Sequence, residues 1–278
     1  MKRNLRDMVV VITGASAGIG RALAVELAGH ETRLALAARR LDRLEALNGE
    51  LGGQHLPIQA DVSRPQDCRA MIDRAVSHFG RIDTLVCNAG YGILRRVVDT
   101  SAEEELRMFQ TNVLGTTECI RRAVPLMLAQ DPQGGLRGQV VIVSSAAARR
   151  GLPFFGMYSA TKAAQLSLAE ALRVELRGSG IAVTSVHPIG TDTDFFATAE
   201  GAGDGRLPPR TAVEPHQTPQ QVARKIVAGI RRPRPEVWPF RPSRLALTFA
   251  TLAPRLTDWI MSRSRGAIER HNQNAREK

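Results

Sequence analysis

Aromatic side chains make up 4% of the 278 residues, with only two tyrosines, and there are four lysines in the whole chain. Scarcity of this kind makes each position informative. The three cysteines, Cys68, Cys87 and Cys119, are an odd number without metal-ligand spacing. That argues against a secreted disulfide framework and a zinc motif, and it fits a reducing cytoplasm. No apolar run approaches the roughly 18–20 residues needed to cross a bilayer. The run Met8–Ile12 is too short for the hydrophobic part of a signal peptide and ends in a glycine turn, so it reads as a buried first strand. The expectation is a cytoplasmic protein.

Acidic residues are also in short supply, 27 against 38 Lys and Arg, for a formal net charge of +11. Residues 231–278 carry much of that excess, with ten Arg and one Lys against four acids. Two readings are open. The segment is a solvated, Arg-biased tail, or it meets an anionic partner such as a lipid surface, nucleic acid or an acidic carrier. No nucleic-acid-binding motif accompanies the charge, so no nucleic acid is expected. Leu245, Phe249, Leu252, Leu256 and Ile260 recur near helical spacing beside Arg244, Arg255, Arg263 and Arg265, with Pro254 set to kink the helix. A basic amphipathic helix can make a peripheral membrane contact or cover a partner subunit.

What the chain does have is alternation. Strand-like apolar runs at Val9–Thr13, Arg33–Ala38, Pro57–Asp61, Thr84–Asn88, Gln139–Ser144 and Ile181–His187 are separated by helical patterns. These patterns include Ile19–Ala28, Leu41–Leu51, a helix through Phe79, and Tyr158–Leu176. Such spacing predicts βαβ units and an α/β, doubly wound parallel sheet of Rossmann-like type. We expect one domain over residues 1–230 and a C-terminal extension over 231–278. Gly201–Pro209 reads as a flexible insertion and Pro233–Pro242 as a Pro- and Arg-rich linker.

Between the first strand and first helix lies Thr13-Gly14-Ala15-Ser16-Ala17-Gly18-Ile19-Gly20. Its glycines allow a sharp turn and a close backbone approach to a pyrophosphate at the helix N-terminus. The second strand ends in Arg39-Arg40, with no acid before Asp42. An acid there usually holds the ribose of NAD, whereas an Arg accommodates the extra phosphate of NADP. Arg39 is therefore expected to contact that phosphate, with NADP preferred over NAD.

Tyr158 and Lys162 stand four residues apart, on one helix face. Reduction of a carbonyl needs a proton donor beside the oxygen. Bringing a phenol from about 10 to neutrality asks for roughly 4 kcal/mol. One cation about 5 Å away, at an effective dielectric of about 20, gives roughly 3 kcal/mol. On that arithmetic a single Lys almost suffices.

On these motifs the chain resembles the short-chain dehydrogenase/reductase family over roughly Met8 to Ile230. The family's glycine motif is met by Thr13–Gly20, its Asn-Ala-Gly turn by Asn88-Ala89-Gly90, and its adenine-contacting acid by Asp61 followed by Val62. Its Tyr-x-x-x-Lys is met by Tyr158 and Lys162, its catalytic Ser by Ser145 and its mid-helix Asn by Asn112. The resemblance implies that Tyr158 is the general acid or base and that Lys162 lowers its pKa and holds the nicotinamide ribose. It further implies that Ser145 polarises the carbonyl and that Asn112 holds a water linking Lys162 to solvent. Cofactor contacts would come from Gly14, Ser16, Gly18, Ile19, Gly20, Arg39, Asp61, Val62, Asn88, Ala89, Gly90, Tyr158, Lys162, Pro188 and Thr193. Family members are commonly dimers or tetramers, so a homo-oligomer is implied. Two departures stand out. Ile189 follows Pro188 where the family has Gly, which bears on the placing of Thr193, and Cys87 replaces a common Asn.

The segment Asp194–Pro215 is the expected substrate loop, and Phe154, Phe155, Phe195 and Phe196 either line the crevice or belong to the core. A lined crevice suits a lipophilic ketone of ketoacyl, steroid-like or aromatic type. The competing class is a non-catalytic NADP-binding or sensing protein whose basic tail contacts an anionic partner. Such a protein has no need of Asn112, Ser145, Tyr158 and Lys162 together.

Overall fold

Val9–Thr13 is a run of β-branched residues with no polar face, and it is buried on both sides as β1. That is the pattern of a central parallel strand covered by helices above and below. In the computed structural model, which describes residues 2–191 and 216–263, strand and helix then alternate. The order is α1 (Gly18–Ala28), β2 (Arg33–Ala38), α2 (Leu41–Glu50), β3 (Leu56–Gln59), α3 (Pro65–Phe79) and β4 (Thr84–Cys87). It continues with α4 (Ala102–Phe109), α5 (Gly115–Ala129), β5 (Gly138–Val143), α6 (Gly156–Glu175) and β6 (Ile181–Val186). The chain closes the sheet with α7 (Pro219–Arg231) and β7 (Glu236–Val237), and α8 (Arg241–Leu252) follows.

All seven strands are parallel, in the order β3-β2-β1-β4-β5-β6-β7. Successive side chains of β1 point to opposite helical layers. Val10 and Ile12 join the core that holds α1, α2 and α7, while Val11 joins the one that holds α3 and α5. The strand order reverses between β1 and β4, which opens a crevice at the carboxyl ends of those strands.

Helix and strand positions follow the expected alternation, and two features depart from it. The stretch 233–242, read as a linker, contains β7. Ser185 N donates to Pro235 O (3.1 Å) and His187 N to Val237 O (2.9 Å), so the sheet continues past Ile230. Two residues flanked by prolines carry no periodicity to detect, and an edge strand tolerates prolines because only one side needs a ladder. Trp238, next in the chain, is buried and stacks on the His187 ring with centroids 4.4 Å apart. Second, Pro254 does not kink one long helix. Ala253 leaves the helical region and a separate helical segment runs over 254–263, as expected for a residue that precedes proline.

A local irregularity matters more. Between α4 and α5 the chain widens into a π-helical turn over Gln110–Leu114. Such turns release a carbonyl from the regular ladder and often mark functional positions. Asn112 sits in it. The insertion Gly201–Pro209, the loop Asp194–Pro215, Phe195, Phe196, Thr193 and Arg265 lie outside the described residues.

Candidate active site

The glycine turn is fastened across the crevice before any ligand is considered. Thr13 Oγ1 donates to Val86 O (3.3 Å) and accepts from Asn88 N and Ala89 N (3.0 Å each). The Asn88 amide donates to Thr13 O (2.9 Å) and Gly14 O (3.3 Å). Asn88 thus acts as a clasp between the ends of β1 and β4. Gly14 takes a left-handed φ of +70°, and a Cβ there would stand 2.9 Å from Ala89 Cα. Glycine is what lets the two turns touch.

Helix α1 begins at Gly18 with Ala17 as its N-cap and no side-chain cap, so its first N–H groups are left for an anion. Ser16 beside it accepts a hydrogen bond from Arg40 (3.2 Å). Arg39 is exposed at the end of β2. The two guanidinium groups therefore differ, and Arg40, which sequence reasoning passed over, is the one bonded to the glycine turn. Asp61 folds on its own turn, accepting from Ser63 N (3.0 Å) and Ser63 Oγ (2.8 Å). Val62 packs against Gly115, where a Cβ would run into the Val62 carbonyl. Ile19 packs on the core around α1. An uncapped helix end, a glycine-lined approach and two arginines form a donor set that fits a nicotinamide dinucleotide.

The chemistry sits at the ends of β4, β5 and β6. Lys162 is 3% exposed, and its Nζ donates to Val143 O (3.0 Å) and Gln165 Oε1 (2.9 Å). It lies 5.7 Å from the centroid of the Tyr158 ring, so the i, i+4 pair shares the crevice as the spacing requires. The Ser145 hydroxyl hydrogen-bonds with the Tyr158 phenol. Ser145 Oγ also accepts from Ala147 N (3.1 Å), which leaves its hydrogen to donate. Asn112, fully buried, clamps the backbone of Tyr91, accepting from its N (3.0 Å) and donating to its O (2.9 Å). A Cβ on Gly90 would meet Asn112 Oδ1 at 2.9 Å and Lys162 Nζ at 3.5 Å.

Burial corrects the simple account of the acid. The Lys162 amine falls to about 7 because it is desolvated, and among the described residues no charged partner offsets that. Burial pushes the Tyr158 phenol up to about 12, and the Ser145 hydroxyl opposes it. In the free protein low polarity penalises tyrosinate and ammonium alike, which opposes the attraction between them. The Asn112 carbonyl accepts from Gln165 Nε2 (2.6 Å) and Thr116 Oγ1 (2.8 Å).

His187 was also missed. It is fully buried against Trp238, with Nδ1 3.2 Å from Ser145 O and Nε2 3.0 Å from Ser185 Oγ. Desolvation lowers it to about 4, so the neutral ring steadies the Ser145 turn. The available signal was a histidine at a strand end just before Pro188. Pro188 O in turn accepts from Ala146 N (2.8 Å). Phe155 meets the Tyr158 ring edge-on at 6.3 Å, whereas Phe154 is buried with a left-handed φ of +65°. Cys87 is buried beside the Thr116 carbonyl, as a small residue suits.

A family model described as short chain dehydrogenase matches residues 8–202. The chain belongs to the short-chain dehydrogenase family. Among its relatives is 11-beta-hydroxysteroid dehydrogenase 1A of Arabidopsis thaliana, 34% identical over 272 residues, covering 92% of this chain and 75% of that one. Among solved structures, an alcohol dehydrogenase of Thermococcus sibiricus complexed with 5-hydroxy-NADP has a TM-score of 0.72 at 28% identity, covering 83% of this chain and 95% of that one. A short chain dehydrogenase/reductase of Burkholderia phymatum in complex with NAD has a TM-score of 0.81 at 24% identity, over 91% and 96% of the two chains, a likeness of fold. This short-chain dehydrogenase is thus an oxidoreductase of the CH–OH/C=O class on a nicotinamide-binding fold.

The Lys162 amine titrates near 7 in the folded protein and near 10.5 when free. Between those values the unfolded chain binds more protons, so stability rises with pH as the burial penalty is lifted. The raised Tyr158 phenol works in the opposite direction, but only above about 10. Chemical denaturation of the free protein and of Lys162→Met should therefore give curves that diverge between about pH 7 and 10. The wild type should gain up to a few kcal/mol relative to the variant. Parallel curves would contradict the buried amine.

Proposed function

We propose that the protein is an NADP(H)-dependent oxidoreductase that moves a hydride between the nicotinamide and the carbon of a ketone or secondary alcohol. Tyr158 passes the proton to or from the oxygen. One observation carries this reading: the phenol, the Ser145 hydroxyl and the Lys162 amine converge at the strand ends beside an anion-ready glycine turn. The bound nicotinamide supplies or accepts the hydride.

The chain's own residues do the rest. Ser145 donates to the substrate oxygen, where negative charge develops during reduction. Tyr158, neutral near pH 7, gives that oxygen its proton in the reducing direction and takes it back in oxidation. As an ammonium Lys162 has one donor left after Val143 and Gln165, and a ribose hydroxyl is its natural acceptor. Arg39 and Arg40, with no acid before Asp42, support NADP over NAD. Phe155 beside the phenol and the hydroxysteroid relative support a lipophilic carbonyl. Free, buried Cys68, Cys87 and Cys119 support a reducing cytoplasm. A homo-oligomer is part of the proposal, on the family's habit.

A second reading concerns the C-terminal segment. Leu245, Phe249, Leu252, Leu256, Trp259 and Ile260 are all exposed, with Arg244, Arg255 and Arg263 among them. Among the described residues no helix is long and apolar enough to cross a membrane. Exposed apolar side chains mixed with arginines suit the surface of an anionic bilayer.

Two measurements follow. Tyr158→Phe should lower kcat/KM for NADPH-dependent ketone reduction by roughly 10²–10⁴-fold with NADPH affinity nearly unchanged. Arg39→Ala and Arg40→Ala should each weaken NADPH by roughly 10-fold or more while sparing NADH. Equal turnover by wild type and Tyr158→Phe would favour the sensing class. For the tail, binding to phosphatidylserine vesicles should fall from low to high salt, and no binding at low salt would remove the membrane reading.

A further inference from the structure

Lys162 and Gln165 are three residues apart on α6, so their side chains leave the same helix face. Both are buried, Gln165 completely. Their bonds fix the orientation of the amide without ambiguity. Lys162 Nζ donates to Gln165 Oε1 at 2.9 Å, which it can do charged or neutral. A carbonyl can only accept, so Gln165 Nε2 faces Asn112 O at 2.6 Å. The second amide hydrogen goes to Thr116 Oγ1 (2.9 Å), whose own hydrogen goes to Asn112 O (2.8 Å). A flipped amide would lose all three contacts and set N–H groups against an ammonium.

Asn112 lies in the π-helical turn over Gln110–Leu114, where the backbone departs from the regular helical ladder. We infer that Gln165 is a positioning residue, a built-in bridge that joins Lys162 to the Asn112 carbonyl and sets where and how strongly that amine holds its proton. This deepens the proposed reaction and rests on it for the use the amine is put to. An amide does not ionise near neutrality, so the bridge holds the amine without carrying its proton onward. Proton exchange at Lys162 must then occur on the crevice side, towards Tyr158. Among the described residues Tyr158 is the titratable group beside Lys162, and no carboxylate or guanidinium from β5, α6 or the 110–114 turn contributes to its shift.

The test is read on the free protein. Because the chain has four lysines, 13Cε-lysine labelling gives few resonances, and Lys162→Met assigns the one in question. Gln165→Glu keeps an acceptor of nearly the same shape and adds a negative charge, so the Lys162 midpoint should rise by roughly one unit or more. Gln165→Leu removes the acceptor, so the midpoint should fall, and NADPH affinity should drop roughly 10- to 100-fold. Opposite shifts establish the bridge. Midpoints within a few tenths of the wild type in Gln165→Glu would overturn it, and that variant decides alone if Gln165→Leu does not fold. The titration involves no dinucleotide. A wild type that neither binds nor oxidises NADPH would therefore sink the proposed function while leaving the Lys162 shifts readable.

Discussion

An amine buried without a carboxylate organises this active site. Lys162 is nearly sealed from water, and what it meets are oxygens of neutral groups, the Val143 carbonyl at the end of β5 and the Gln165 amide on its own helix. A paired carboxylate would have fixed the charge and left nothing to adjust. Dipoles alone let burial draw the amine down to about 7, where a small change in surroundings decides its protonation. The same apolar setting raises the phenol of Tyr158. Near neutral pH the phenol is therefore protonated in the free protein, while the amine stands near the midpoint of its titration, where what binds beside it decides its charge.

Holding such an amine requires a rigid surround. The strand order reverses between β1 and β4, and the clasp of Thr13 and Asn88 spans that reversal, so the glycine turn and the Asn88–Gly90 turn are one body. The turn at Gln110–Leu114 extends it, since Asn112 binds the Tyr91 backbone with its side chain and Gln165 with its carbonyl. On the other flank His187, stacked on Trp238, fixes the turn that carries Ser145. Asn112, Ser145 and Lys162, from three elements, are thereby held by bonds to backbone groups, which tolerate little drift.

The doubly wound sheet was legible in the sequence because buried parallel strands write themselves as β-branched runs, Val9–Thr13 most clearly. The site was legible where chemistry demands a fixed spacing, as in Tyr158 and Lys162, or a backbone that only glycine allows, as at Gly14. Strand β7 was hidden because two residues between prolines have no period. Gln165 was hidden for a different reason. A polar residue on an amphipathic helix looks like solvent-facing surface, and only three-dimensional packing reveals that it points at the Asn112 carbonyl in the π-helical turn. Arg39 and Arg40 are equivalent as letters; the fold separates them, turning Arg40 onto Ser16. The Coulomb arithmetic for Tyr158 counted the attraction between the two groups and left out the cost of burying each, which raises the phenol in the free protein.

The central claim is that burial keeps the Tyr158 phenol protonated in the free protein and that the dinucleotide makes it acidic. With two tyrosines in the chain, the tyrosinate absorbance band measures this directly in a pH titration with and without NADP+. The account predicts no tyrosinate in the free protein below about pH 10, and one tyrosine ionising at lower pH once NADP+ is added, lost in Tyr158→Phe. Tyrosinate appearing near neutrality without the dinucleotide, or no change on adding it, would contradict the account.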